Sequence, residues 1–168
     1  MDNSISNFFI DHRPSWLGNL AKVVSYLGQF PIHVVLIILI GVAIRKRADL
    51  VAVGALSALF AYGLNSVLKK GLDRSRPATW RWFEGYHAHG NSLPSGHAVN
   101  AGVLGVLIFM WLPGRWKWSG VALTLAVMWS RVELGVHWPT DVILGGAIGA
   151  GIGFAGQYAA QKFAEMTA

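Results

Sequence analysis

Three short polar stretches interrupt an otherwise apolar chain: Lys69-Lys70-Gly71-Leu72-Asp73-Arg74-Ser75-Arg76-Pro77, Pro94-Ser95-Gly96-His97, and Ser130-Arg131-Val132-Glu133-Leu134-Gly135-Val136-His137-Trp138-Pro139-Thr140-Asp141. The first and third supply Lys69, Arg76 and Arg131, donors suited to the oxygens of a tetrahedral dianion such as a phosphate ester. The second puts Ser95 and Gly96 at the start of an apolar run, where a helix N-terminus offers free N–H groups and the positive end of its dipole. Gly96 carries no side chain to keep an anion from its amide. His137 and Asp141 are four residues apart across Pro139, a residue that opens helices. A carboxylate in that first turn can reach back to the imidazole, fix its tautomer and raise the basicity of the other nitrogen, which prepares a nucleophile. His97, on a second helix, can deliver a proton. The physics gives one histidine to attack and one to protonate, and leaves open which is which.

The elements that must position these groups are membrane helices. The chain is 54% hydrophobic and 13% charged, where a soluble domain carries about 25% charged residues. Ionisable side chains are costly in hydrocarbon, so those retained at a bundle rim point to function. Apolar segments run over 31–44, 48–68, 97–112, about 117–134, and 140–158. The first is shorter than the ~20 residues that cross a bilayer core and must borrow from 25–30 or sit in thinned bilayer. Residues 1–30 alternate apolar and polar positions at roughly helical spacing, which predicts amphipathic helices lying at the interface. The expected fold is thus all-α: one polytopic bundle of about five spans over 31–158 within a single domain, 1–168, with six spans if 15–30 also crosses. The tail 159–168 is expected to fray. Gly145, Gly149 and Gly153 recur every four residues, the spacing that lets helix backbones approach closely in lipid.

Five crossings put the loops 45–47 and 113–117 on one face and all three polar stretches on the other. Arg45-Lys46-Arg47, Arg115, Lys117 and Lys162 mark the first face as cytoplasmic. The other face holds more basic residues in total. Setting aside Lys69, Arg76 and Arg131 as site residues, and letting Asp2 and Asp11 offset Arg13 and Lys22, the balance favours a site facing outward. Trp111, Trp116 and Trp118 are expected in one aromatic belt, and Trp16, Trp80, Trp82 and Trp138 in the other. A net charge of +6 in such a chain implies no nucleic-acid partner. With no cysteine there is neither a disulfide framework nor thiolate chemistry. Met1-Asp2-Asn3-Ser4 lacks the basic region of a cleaved signal peptide.

Lys69 with six residues to Arg76-Pro77, then Pro94-Ser95-Gly96-His97, then Ser130-Arg131 with five residues to His137 and three more to Asp141, resemble the three signature motifs of the type 2 phosphatidic acid phosphatase family, without a departure and in order. The resemblance covers 69–141 directly, and the helix pattern extends it to about 30–158. It implies that His137 attacks phosphorus to form a phosphohistidine, that Asp141 orients it, and that His97 protonates the leaving oxygen and then activates water. Lys69, Arg76, Ser95, the Gly96 amide and Arg131 would hold the phosphoryl oxygens, with no metal and no cofactor. The implied partner is a membrane lipid phosphate in the bilayer. Undecaprenyl diphosphate, phosphatidylglycerol phosphate and phosphatidic acid resemble substrates of the family, and the chain's small size favours the first two. The compact chain suits a bacterial plasma-membrane enzyme of cell-envelope lipid metabolism, its site on the extracytoplasmic side. Many members have six spans, and this chain shows no counterpart of the first.

Other readings stand beside these. His97, His137 and Asp141 have spacing compatible with zinc, although three neighbouring cations would repel it. A transporter would spread its charges through the depth of the bundle, whereas here they gather at one face. A vanadium haloperoxidase would share the anion ligands, but those relatives are soluble. His12 and His33 are expected to be structural, His87 and His89 solvated. Lys70, Arg74 and Arg81 are expected to form a basic rim, where Arg74 and Arg81 are also candidates for a second phosphate. Trp80, Trp82 and Trp138 are expected to be anchors. Glu133 lies within the third motif, and no role follows from the residues.

Overall fold

The computed structural model describes residues 2–11, 14–77 and 90–166. The expectations for His12, Arg13, Trp80, Arg81, Trp82, His87 and His89 fall outside the described residues. Among the described residues, seven α-helices follow in order: α1 (Asp2–Asp11), α2 (Ser15–Tyr26), α3 (Phe30–Ala43), α4 (Ala48–Leu72), α5 (Gly96–Trp111), α6 (Trp118–Glu133) and α7 (Pro139–Met166), with a 3-10 turn at Gly114–Lys117 before α6.

The helix ends follow from local chemistry. Pro31 sits in the first turn of α3, where its missing N–H costs nothing, and α2 and α3 meet at an angle of 64°. This bend is why 15–44 is not one straight helix. At the end of α6, Gly135 takes a left-handed φ of 65°. Its N–H reaches Val132 O at 2.9 Å, and Val136 N reaches Arg131 O at 3.3 Å. This pair of bonds is a Schellman cap, which turns the chain back on the helix end. It sets His137 beside the turn that carries Arg131.

Two helix ends lie beyond the expected ones. α4 continues past 68 to Leu72, so Lys69 lies inside its last turn, where the dipole favours a cation. The tail does not fray after 158: α7 runs on to Met166. Residues 159–166 contain no Gly or Pro to break it, and Lys162 pairs with Glu165 at 3.0 Å one turn later.

α5 is the central element and packs against α7, α6, α4 and α3. Ile37, Ala58, Ala61, Val99, Val103, Leu104 and Leu107 around it are fully buried. The expected glycine face of α7 is the α5 contact. A Cβ on Gly145 would stand 2.7 Å from Ser95 O, and one on Gly149 would collide with the carbonyl of Val99. Gly120 of α6 and Gly105 of α5 make a similar crossing, which no regular spacing announced. Trp111 is a correction. It is only 6% exposed, and its indole donates to Gln157 at 2.9 Å, so it belongs to the core and not to an interfacial belt. Gln157 in turn donates to Leu50 O at 2.7 Å, a buried link between α4, α5 and α7.

Among the described residues, α4 and α7 are long and apolar enough to cross a membrane. The bent α2–α3 pair passes the same test as a unit, while α5 is a shorter apolar helix. α5 and α6 have 16 residues each, about 24 Å at 1.5 Å per residue. Length and composition therefore give two or three spans and leave five unestablished.

Candidate active site

His137 sits between α6 and α7 and is 3% exposed. Its Nε2 lies 3.3 Å from Arg76 Nη1, and that same nitrogen of Arg76 donates to Val136 O at 2.7 Å. A guanidinium can only donate. The imidazole nitrogen facing it must therefore present its lone pair, which assigns the ring proton to Nδ1. Nδ1 faces Asp141 Oδ2 at 3.5 Å, an approach still longer than a hydrogen bond. Asp141 reaches back as the sequence implied, and its Oδ2 accepts the Trp138 N–H at 2.9 Å. Burial, then the charges of Arg131, Arg76 and Lys69, hold the His137 imidazole well below its ordinary pKa of 6.5. It is neutral at neutral pH, with a basic nitrogen aimed at the cations.

Lys69 and Arg76 are anchored in part by backbone carbonyls, and Arg131 by a hydroxyl. Lys69 donates to Asn91 O at 2.6 Å, and the Asn91 amide donates back to Lys69 O at 2.7 Å. Arg76 donates through Nε to Gly90 O at 2.9 Å and through Nη2 to Asn91 O at 3.3 Å. Arg131, 2% exposed, donates from Nη1 to the hydroxyl of Ser25 on α2. The α5 start is tied to α7 by Ser95 N donating to Asp141 O at 3.1 Å. Ser95 Oγ and His97 Nε2 are buried with no hydrogen-bond partner among the described residues. His97 lies within electrostatic reach of Arg131, His137, Lys69 and Arg76. All eight residues singled out as catalytic or phosphate-binding — Lys69, Arg76, Ser95, Gly96, His97, Arg131, His137 and Asp141 — thus converge where α4, α5, α6 and α7 meet.

Gly96 has a second reason to be glycine. A Cβ there would stand 2.9 Å from Nδ2 of Asn65, a 7% exposed residue of α4 one turn before Lys69. Asn65, Ser25, Asn91 and Ser92 escaped the sequence reading. Their one signal was a polar residue within or beside an apolar run. Ser92 has no exposure, and its hydroxyl donates to Ser75 O at 3.0 Å, bracing the first motif against the second.

Arg74 corrects the expectation of a solvated rim. It donates to Asp141 Oδ1 at 2.7 Å and to Asp2 Oδ2 at 2.8 Å, so it is already engaged by carboxylates rather than awaiting a phosphate. Trp138 lies under it, with the guanidinium 5.6 Å from the ring centre, and donates to Ser75 O at 2.9 Å. His33 is fully buried on α3, with neither ring nitrogen hydrogen-bonded among the described residues. Glu133 is also fully buried. Among the described residues, no three His, Cys, Asp or Glu side chains are grouped so as to hold a metal ion.

Comparison with known proteins returns the same region. Residues 50–164 match the model of the PAP2 superfamily. The chain is 32% identical over 165 residues to phosphatidylglycerophosphatase B of Bacillus subtilis, covering 88% of this chain and 77% of that protein. It is 42% identical over 64 residues to an undecaprenyl-diphosphatase of Sulfolobus acidocaldarius, covering 38% of this chain and 31% of that protein. The fold superposes with a TM-score of 0.79 on the crystal structure of a transmembrane PAP2-type phosphatidylglycerolphosphate phosphatase from Bacillus subtilis. That match is 29% identical and covers 96% of this chain and 85% of the other.

Proposed function

This chain belongs to the PAP2 superfamily, and from that premise we propose that it is a membrane lipid phosphatase that works through a phosphohistidine. The observation that carries the mechanism is the His137 ring, with its Nδ1 toward Asp141 and its Nε2 toward Arg76. Nε2 attacks phosphorus, and the bond from phosphorus to the lipid or diphosphate oxygen breaks. His97, protonated once the phosphate dianion sits beside it, gives that proton to the departing oxygen and is left neutral. The same histidine then takes a proton from water, whose oxygen displaces Nε2 and releases inorganic phosphate. Lys69, Arg76, Arg131, Ser95 and the Gly96 amide stabilise the charge that builds on the equatorial oxygens. His137 is fully formed as a neutral nucleophile before substrate arrives, and Asp141 closes on Nδ1 as the ring becomes positive.

The relatives' names support phosphatidylglycerol phosphate and undecaprenyl diphosphate as the substrates to test first. The chain would form one membrane domain crossing five times, at 31–44, 48–68, 97–112, 117–134 and 140–158, in a bacterial plasma membrane. Its site would face outward, and the N-terminal helices would lie at the interface. The reaction needs no metal, since the anion is held by side-chain cations and one helix start.

The test is phosphate release by the purified full chain in detergent from phosphatidylglycerol phosphate, undecaprenyl diphosphate, phosphatidic acid and a soluble phosphomonoester, with EDTA present. Release from a lipid that disappears in His137→Ala and is blocked by orthovanadate is the expected result. Release that persists in His137→Ala refutes the nucleophile. Release lost with EDTA and restored by zinc refutes metal independence. No release from any substrate, with lipid or ion flux in liposomes instead, replaces the enzyme with a transporter.

A further inference from the structure

Behind Asp141 lies a closed polar ring of Arg74, Thr140 and Asp2 that the reaction as written does not use. Arg74 is its centre. Nη1 donates to Asp141 Oδ1 at 2.7 Å and to Thr140 Oγ1 at 2.6 Å, and Nη2 donates to Asp2 Oδ2 at 2.8 Å. The Thr140 hydroxyl donates to that same Asp2 oxygen at 2.7 Å. The ring is buried at Asp141 and open at Thr140: the side chains of Asp141, Asp2 and Arg74 are 0%, 21% and 29% exposed, and Thr140 is exposed. Asp2 begins α1, which packs on α6 and α7.

We propose that Arg74 is the positioning residue of the His137–Asp141 pair, and that Asp2 holds Arg74 in that role, so that α1 is a working part of the catalytic apparatus. The proposal rests on the phosphatase reading above. Its logic is the division of the Asp141 carboxylate. Oδ2 faces His137 and caps the Trp138 amide. Oδ1 needs a donor of its own, because a buried carboxylate oxygen without one is costly. Lys69 lies within electrostatic reach of Asp141. A carboxylate free to turn would swing toward it, abandon Nδ1 and consume a cation the phosphoryl group needs. Arg74 Nη1 occupies Oδ1 and, together with the Ser92 side chain at the same carboxylate, prevents that turn. A lone arginine in this position would also draw charge away from the histidine. Asp2 offsets it: the Arg74–Asp2 pair carries no net charge, so it fixes Asp141 while adding little field at His137. The Trp138 face and the Thr140 hydroxyl complete the seat of the guanidinium.

The experiment compares Arg74→Ala, Arg74→Lys, Asp2→Asn and the Asp2→Asn/Arg74→Ala double variant of the full chain, on the lipid that wild type hydrolyses best. A positioning role predicts that Arg74→Ala lowers kcat by about tenfold to a hundredfold, the range a misplacement of about 1 Å produces, with KM within about twofold. Arg74→Lys keeps the charge but not the fork and falls between. Asp2→Asn lowers kcat by a smaller factor, and adds nothing in the Arg74→Ala background, because its effect passes through Arg74. A rise in KM at unchanged kcat makes Arg74 a phosphate ligand and overturns the proposal. Independent, multiplying effects of the two substitutions overturn the part given to α1. If Arg74→Ala does not purify as a folded protein, the decision falls to Arg74→Lys and Asp2→Asn, and wild-type kcat in both overturns the proposal. Wild-type turnover and its loss in His137→Ala are measured alongside, so that failure of the phosphatase reading itself is seen separately.

Discussion

The protonation state of His137 is the residue-scale property on which the chemistry turns. Burial and three cations all penalise the imidazolium, and they outweigh the favourable hydrogen bond to the Ser92 backbone. The sign follows: a depressed pKa leaves the ring neutral at pH 7, and protonation comes only on the acid side of the ordinary 6.5. Imidazole nitrogen NMR of the free protein is therefore expected to show His137 titrating below 6.5, and a midpoint above that value would mean that Asp141 dominates the ring. Arg131 gives a second prediction. Its head is held by Ser25, so Ser25→Ala removes a hydrogen bond to a charged group, worth on the order of 1.5–3 kcal/mol. A fall in kcat/KM of about tenfold is expected, and unchanged kinetics would show that Arg131 is oriented without α2. The motif residues were legible because their types, at short spacing, are those that suit anion binding and nucleophilic catalysis. Arg74 was misread because its role is set by Asp2, 72 residues away.

Helices set the distances between these residues through backbone contact. The α5–α7 crossing carries His97 on one side and Asp141 on the other, and it exists because Gly149 lets α7 lie on the Val99 carbonyl. Gly149→Ala is expected to cost about 1–3 kcal/mol, read as a lower Tm, and to reduce turnover by parting α5 from α7. Gly151→Ala, whose Cβ would meet nothing within 4 Å, should leave the Tm near wild type. Equal Tm values for the two variants would show that the crossing does not depend on Gly149. The glycine ladder of α7 was legible because a four-residue repeat has a single structural use in lipid. The Gly105–Gly120 crossing was not, since one glycine on each helix makes no period. Helix ends at Leu72 and Met166 were missed for a related reason: hydropathy follows lipid, and a helix continues into water wherever nothing breaks it.

Taken whole, the molecule brings its candidate site residues together at one end of the bundle, while Arg45, Lys46, Arg47, Arg115 and Lys117 lie in loops of the opposite parity. The chain has no cysteine, so single reporters can be introduced cleanly. In sealed right-side-out vesicles an impermeant maleimide should label Lys70→Cys but not Arg115→Cys, both at exposed positions. Labelling of both from outside would break the five-span parity, and the reverse pattern would invert the orientation alone. The residue types by themselves pointed to an all-helical membrane chain with the motifs of a lipid phosphatase, and singled out eight residues that the fold brings together, because composition and short-range spacing are local properties. What only the tertiary structure decided is how those side chains are held: Asn91 carbonyl and amide on Lys69, Ser25 on Arg131, Arg74 and Asp2 on Asp141, Asn65 against Gly96. Each of these joins segments separated by a helix or more, and a contact of that kind is chosen by packing rather than by any pattern along the chain.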